Sequence, residues 1–392
     1  MNYILFDTHS ESEQLKPLTF TRPIAELRCG ILRISEKWNL RLQTACSWKT
    51  RDYLQQKFPL VTAADNVFIN AAVLPTDELV AAVQNLQENT AIIKNGELIA
   101  ARCEKYENVA EALEATCTEF QGELQHIRHP WHIFMYNGEQ INVDFELLTA
   151  GRTSQKLSST NTVFGEENIF VEEGAEVECA ILNARNGKMY IGKDAHVMEG
   201  AIIRAPFALC EHAMVKMGAK IYEDCTIGPY CKVGGEVQNS ILIGYSNKGH
   251  DGYLGNSVVG EWCNLGADTN NSNLKNDYSE VKVWDYAAQR FMKTGLQFCG
   301  LIMGDHSKSA INTMFNTGTV VGVSCNVYGA GFPRNFFPSF SRGGAEGMQE
   351  YALKQACDTA VRVFARRGKE FDETERAIFE YIFGETQQFR RY

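Results

Sequence analysis

The chain has 392 residues, 44% of them hydrophobic and 22% charged, enough for two domains of ordinary size with substantial cores. Its formal net charge of −10 excludes a broad surface for nucleic acid or anionic membrane, whose phosphates it would repel. A local basic pocket for a phosphorylated small molecule stays open, and the 12 cysteines, with no Cys-x-x-Cys pair, read as small buried apolar residues of a reduced chain.

The first residues, Met1-Asn2-Tyr3-Ile4-Leu5-Phe6-Asp7, have no basic n-region and meet an acid after a short apolar run. They read as a strand rather than a signal peptide. No apolar run is long enough to span a bilayer, so a cytoplasmic protein without membrane or nucleic-acid partners is expected. Up to about residue 150, strand-like runs at 3–6, 66–69 and 90–93 alternate with helical stretches at 76–86 and 108–116. That is an α/β pattern, giving a first domain over 1–150. The polar segment 151–162 reads as a linker.

Beyond the linker a period of six takes over. Ile191, Val197, Ile203, Leu209, Val215, Ile221, Ile227 and Val233 are all aliphatic, and small residues such as Ala195, Ala201, Ala213, Ala219, Cys225 and Cys231 follow four positions later. Neither an amphipathic helix nor a half-buried strand has this period. A triangular coil does, with each six residues giving one short strand and one corner, the aliphatic side chain inward and the small one where the corner leaves little room. The ladder lapses after Val233, resumes at Tyr253, Val259 and Leu265, and runs again through Met303, Ser309, Phe315, Val321 and Val327. Two insertions are therefore expected, near 239–252 and 270–300. This second domain spans 163–340. A tail over 341–392 turns helical, with Ala352, Ala356, Ala360, Val363 and Phe364 on one face and basic residues at 366–369, and would cap the open end of the coil.

The first lapse carries the chemistry. His250-Asp251-Gly252-Tyr253-Leu254-Gly255-Asn256 is followed by Asn264-Leu265-Gly266-Ala267-Asp268-Thr269. Acyl transfer to an amine needs a base titrating near neutrality, which histidine supplies, and polar donors for the acceptor and the oxyanion.

These blocks resemble the acetyltransferase half of the bifunctional N-acetylglucosamine-1-phosphate uridylyltransferase / glucosamine-1-phosphate N-acetyltransferase family. The resemblance implies an α/β nucleotidyltransferase-like, Rossmann-like N-terminal domain, then a left-handed parallel β-helix with a helical C-terminal tail. It implies acetyl-CoA as cofactor and a homotrimer with its CoA groove between neighbouring coils. His250 would be the general base, with Asn273 contacting the acceptor or stabilising the oxyanion. Lys232, Tyr253 and Asn264 would bind the sugar phosphate, while Ala267, Asp305 and Lys308 would lie along CoA. Gln238 and Leu274 depart from the family's basic residue and tyrosine in that pocket.

The N-terminal half is similar to sugar-phosphate nucleotidyltransferases through Leu15-Lys16-Pro17-Leu18-Thr19-Phe20-Thr21-Arg22-Pro23 and Pro130-Trp131-His132-Ile133-Phe134 with Asn137. There the family cradles a triphosphate on a glycine-rich loop. Here the stretch from Asp7 to Glu13 has no glycine and three acids. Arg22, Arg28 and Lys37 could supply the lost positive charge, and Asn70 stands where the Mg²⁺-holding aspartate would be. UTP and Mg²⁺ are thus implied only if this domain is active. Three functions follow: acetyl transfer to an amino-sugar-1-phosphate, uridylyl transfer to a sugar-1-phosphate, or non-catalytic binding of a nucleotide sugar by a scaffold.

Overall fold

A computed structural model describes residues 1–392, the side chain of residue 115 excepted. By packing the chain divides into two compact units. The first comprises Met1–Leu15, Thr21–Leu27 and Leu32–His129; the second comprises Lys16–Phe20, Arg28–Ile31 and Pro130–Tyr392. Packing therefore divides the chain at 129/130, where the sequence reading set the first domain's end at 150.

The first unit is built on a six-stranded mixed sheet in the order Ser47–Lys49, Asn2–Phe6, Asn66–Asn70, Glu97–Cys103, Thr90–Lys94, Cys117–Glu119. The first three strands run parallel, and Glu97–Cys103 turns antiparallel to both neighbours. Parallel strands covered on both faces need continuous apolar runs, which is what Tyr-Ile-Leu-Phe and Val-Phe-Ile provide. Ile4, Phe6, Phe68, Ala91 and Ala101 pack with Val109 and Ala112 of the helix Val109–Ala115. Thr8 caps the helix His9–Gln14 by accepting from the Glu11 N–H, and Thr76 caps Asp77–Gln84 through Leu79.

The second unit is a parallel β-solenoid. Met189–Ile191, Phe207–Leu209 and Cys225–Ile227 stack in register, so Ile191, Leu209 and Ile227 sit directly above one another. The inward ladder is buried throughout, from Val171 to Phe337. Each fully buried aliphatic side chain contributes about 1.5–3 kcal/mol, so the repeat, not any single strand, holds the coil together.

Two expectations are corrected here. No insertion leaves the coil near 239–252. Instead, Ile227 is followed in register by Leu242, and Val233 by Lys248, so this coil is shortened to fifteen residues. A corner at Asn239, in the left-handed region (φ 41°), lets the strand Glu236–Gly244 run on from one face to the next. Asparagine tolerates that conformation better than most residues. Asn256 (φ 47°) does the same in the next coil. Second, Leu254 rather than Tyr253 takes the inward position, pairing with Val237, while Tyr253 stands beside Glu236 and is half-buried. The later insertion is present. Val259 is followed in register only by Met303, and the excursion carries an antiparallel hairpin, Lys282–Asp285 with Arg290–Lys293.

The helix Pro130–Thr149 belongs to the second unit. Asn137, fully buried, accepts from the Gly30 N–H (2.7 Å) and the Thr226 hydroxyl (3.1 Å) and donates to the Asp224 carbonyl (2.9 Å). The Pro-Trp-x-x-x segment with its asparagine is thus a docking element. In the tail, Ser341–Gly344 pairs antiparallel with Gly347–Glu350, and the helices Leu353–Ala365 and Glu373–Glu385 follow. The inward face is Ala356, Cys357, Ala360 and Phe364, whereas Ala352 is exposed. Among the described residues no helix is long and apolar enough to cross a membrane.

Candidate functional site

One face of the solenoid carries the outward residue of each short strand in strict register. Lys232, Asn247, Asn264 and Lys308 follow one another on four successive coils because each precedes an inward ladder residue. Side chains alternate across a strand, so the ladder that fixes the core also aligns these polar groups on the surface. They line a cleft of about 500 Å³ together with His250, Lys216, Tyr245, Trp262, Val363, Arg366 and Arg367.

His250 is exposed at the corner after the Asn247–Lys248 strand. Its loop is held from beneath by Lys248, a residue not singled out from the sequence. The Lys248 side chain occupies the inward ladder position, is almost fully buried, and donates to the carbonyls of His250 and Asp251, the latter at 3.1 Å. Burial pushes its pKa down to about 8, against the pull of Asp251 and Asp268. A lysine among aliphatic neighbours signals such a role only once the ladder register is correct.

Electrostatics set the cleft apart in a chain of net charge −10. No carboxylate lines it. Lys232 titrates below the usual lysine value because of burial first, then because of the charges of Arg367, Lys216 and Arg366. Lys308 donates to the His306 carbonyl (2.8 Å) and is likewise held below the usual value by burial.

Beneath the cleft runs an aromatic corner. His212, Tyr230, Tyr245, Trp262 and His306 each turn their coil in the left-handed region. Their rings stack one per coil, Tyr230 on Tyr245 at 5.1 Å and Tyr245 on Trp262 at 4.2 Å. Phe364 of the tail stacks on Trp262 at 4.1 Å, and Phe379 meets His306 edge-on at 4.9 Å. The tail therefore lies along this corner as well as closing the last strand.

Tyr253 and Asn273, expected with His250, form a separate network. Asn273 donates to the Tyr253 hydroxyl (3.0 Å) and to the Asn256 side-chain oxygen (2.7 Å), and Tyr253 donates to Gln238 (3.1 Å). Both amide hydrogens of Asn273 are spent, so it offers none to an oxyanion in this state. Ala267 lies in a turn, its carbonyl accepting from the Asn312 N–H at 2.8 Å. Asp305 departs from the groove role expected of it: it is buried, and its carboxylate accepts from the Glu261 N–H (2.8 Å), tying one coil to the next. A second cleft, of about 720 Å³, is bounded by the hairpin of the insertion and the end of the tail. Lys282, Arg334 and Arg391 line it beside Phe291, Phe336 and Phe389.

In the first unit the strand ends are occupied by the protein's own groups. Asp7 accepts from the Ile24 N–H (3.0 Å) and the Thr50 hydroxyl (2.6 Å). Glu11 pairs with His126 and accepts from Asn70 (3.2 Å), whose amide oxygen accepts from the Ala72 N–H (2.9 Å). Glu13 pairs with Arg51 at 2.6 Å. A triphosphate with Mg²⁺ does not fit this donor set, since Asn70 and the carboxylates are already engaged. Arg22, Arg28 and Lys37, expected as its ligands, are all buried. Arg22 and Lys37 belong to the first unit and Arg28 to the second, where it donates to the carbonyls of Ile31 and, at 3.3 Å, Ile243. Among the described residues no group of three His, Cys, Asp or Glu could hold a metal ion. Ten of the 12 cysteines are buried.

The chain thus carries a mixed-sheet unit and a parallel solenoid with a six-residue repeat. Residues 3–153 match the family model for sugar nucleotidyl transferases. The chain is 27% identical over 212 residues to a bifunctional sugar-1-phosphate nucleotidylyltransferase/acetyltransferase of Sulfurisphaera tokodaii, over 54% of this chain and 46% of that protein. It is 37% identical over 90 residues to the bifunctional protein GlmU of Methanocaldococcus jannaschii, over 23% of this chain and 21% of that one. The match thus spans less than half the length of either relative. The bifunctional family recognised from the motifs fits these matches. Among solved structures, an Arabidopsis UDP-N-acetylglucosamine acyltransferase aligns with 59% of this chain and 90% of that one at 12% identity and a TM-score of 0.21, too slight a likeness to argue from.

Proposed function

We propose that the second unit transfers an acetyl group from acetyl-CoA to the amine of an amino-sugar-1-phosphate, with glucosamine-1-phosphate the expected acceptor. The observation that carries this reading is the exposed His250 in one cleft with the register-aligned Lys232, Asn264 and Lys308. The acceptor amine arrives as an ammonium. Neutral His250 takes a proton from it, the nitrogen attacks the thioester carbonyl, and collapse of the tetrahedral species breaks the C–S bond and releases CoA. Lys232 and Asn264 hold the acceptor, and Lys308 stands ready for a phosphate. Ala267 lines the neighbouring turn for acetyl-CoA, and Asn273 positions Tyr253 rather than the oxyanion. The cationic lining fits a phosphate-bearing donor or acceptor. A homotrimer is part of the reading: Ile181 and Ile202, neighbours in register and 39% and 45% exposed, give the solenoid an outward apolar stripe for another copy to cover.

The test follows free thiol released from acetyl-CoA in the presence of glucosamine-1-phosphate. His250→Ala should lower turnover by about 10²–10⁴-fold while the melting midpoint stays in place. Turnover equal to that of the unaltered protein would remove His250 from the chemistry.

A further inference from the structure

One inward position of the solenoid breaks the rule of its ladder. Lys248 stacks in register on Val233, among aliphatic neighbours, with only 2% of its surface exposed. An ammonium buried there without compensation is strongly unfavourable. What compensates it is main chain: Lys248 donates to the carbonyls of His250 and Asp251 and meets no carboxylate among the described residues. A methionine or leucine would fill the position as well, so packing accounts for the length of this side chain but not for its charge.

The corner that Lys248 reaches is built unlike its neighbours. Elsewhere corners bond coil to coil through the main chain, the Gly218 N–H to the Glu199 carbonyl (3.1 Å) and the Asn312 N–H to the Ala267 carbonyl (2.8 Å). The Asp251 carbonyl has such a donor in the Asp268 N–H (3.1 Å), whereas no main-chain N–H among the described residues reaches the His250 carbonyl. That carbonyl turns toward the preceding coil, where a Cβ on Gly235 would lie 2.8 Å from it. The preceding corner is short: four positions separate Val233 from Val237, against six between Lys248 and Leu254. The corner that carries His250 therefore rests on glycine backbone and on one ammonium.

We propose that Lys248 is the positioning residue of the base: its ammonium clamps the His250 and Asp251 carbonyls from inside the coil and so holds the imidazole at its place in the cleft. Buried beneath the corner, Lys248 meets no substrate and acts through His250. A charged donor bonds a carbonyl roughly twice as strongly as a neutral one, so the clamp loosens when Lys248 loses its proton. Asp251 on the same corner and Asp268 on the next favour the charged form; burial opposes it and prevails, and the proton leaves at about pH 8. The clamp deepens the acetyl-transfer reading, on which only its kinetic test rests; the imidazole can be followed without turnover.

The experiment is histidine-selective NMR of the full chain, titrated from about pH 6 to about 9.5. The His250 signal, one of eight histidines, is identified by its loss in His250→Gln. Besides the imidazole's own protonation it should show a second inflection near about pH 8, from Lys248. In Lys248→Met, which fills the same space without the charge, that inflection should vanish. With thiol release as the readout, the same variant should lower kcat at least about tenfold while the KM of both substrates stays within about twofold. A wild-type His250 signal without the second inflection overturns the proposal and requires no variant to fold. So does a folded Lys248→Met protein that keeps the inflection, the parent's kcat, or a loss lying wholly in KM. Should the wild type release no thiol, acetyl transfer falls, and the titration still decides for or against the clamp.

Discussion

Asp7 ends the first strand with both carboxylate oxygens engaged, yet burial dominates its chemistry. Burial lifts its pKa to about 7; the Thr50 and Ile24 hydrogen bonds oppose the rise, Glu11 adds to it and Arg51 lowers it. The sign follows from the comparison with an unfolded aspartate near 3.9. The folded state holds the proton more tightly, so the stability gained is complete below about pH 4 and is lost as the pH rises through about 7. Asp7→Asn, which keeps an acceptor for the Ile24 N–H but cannot ionise, should gain on the wild type across that window. Melting midpoints at about pH 4.5, 6 and 8 would check it. Two midpoint curves that run parallel would show that Asp7 does not ionise differently on folding. Such a residue is hard to read from sequence, because the three acids from Asp7 to Glu13 look alike on paper. His126 and Arg51, far along the chain, decide which of the other two is paired. Tyr253 was misplaced by one position for a comparable reason: the left-handed corner at Asn256, which resets the register, is a backbone conformation rather than a residue pattern.

At the scale of the coil, the period of six exposed most of the solenoid because inward positions must be aliphatic and the corners small. Its lapse was legible, but not its sense. A half-repeat lost and a half-repeat gained leave the same phase, so a fifteen-residue coil imitated an insertion. The shortened coil brings backbones close. A Cβ on Gly228 would clash with the carbonyls of Leu242 and Ile243 on the next coil, whereas one on Gly384, in the last helix, meets nothing within 4 Å. Gly228→Ala should therefore cost about 1–3 kcal/mol as overpacking, since backbone cannot yield as a flexible side chain does. Gly384→Ala should add about 0.4–1 kcal/mol by restricting the unfolded chain in a helical position. Denaturant midpoints with unchanged slopes would measure both, and a Gly228 variant as stable as the parent would mean that the coils separate more easily than their register suggests. The tail's share of the cleft had no local signal at all. The basic run at 366–369 was visible, but its partners Lys216 and Lys232 lie more than a hundred residues earlier.

Across the whole molecule, the two units differ in how many of their polar groups stay open to a ligand. The second retains an open histidine, aligned polar side chains and uncompensated positive charge. In the first, Asp7 after the first strand and Glu11 and Glu13 on the helix that follows stand where a triphosphate would need backbone N–H groups and cations. Each of those acids is already satisfied by a neighbour, so an entering triphosphate would meet negative charge and displace formed hydrogen bonds before gaining any of its own. The expected outcome is that the full chain, given UTP, Mg²⁺ and glucosamine-1-phosphate or N-acetylglucosamine-1-phosphate, releases no pyrophosphate above background, under conditions where acetyl-CoA yields free thiol. Isotope exchange between pyrophosphate and UTP is the sensitive form of the measurement, because it reports even a slow reversible step. Exchange that depends on Mg²⁺ and is lost in Asp7→Asn would show that the carboxylates rearrange to receive the nucleotide. Exchange absent while thiol release persists would leave acetyl transfer as the chain's chemistry and the first unit as a fold kept without its reaction.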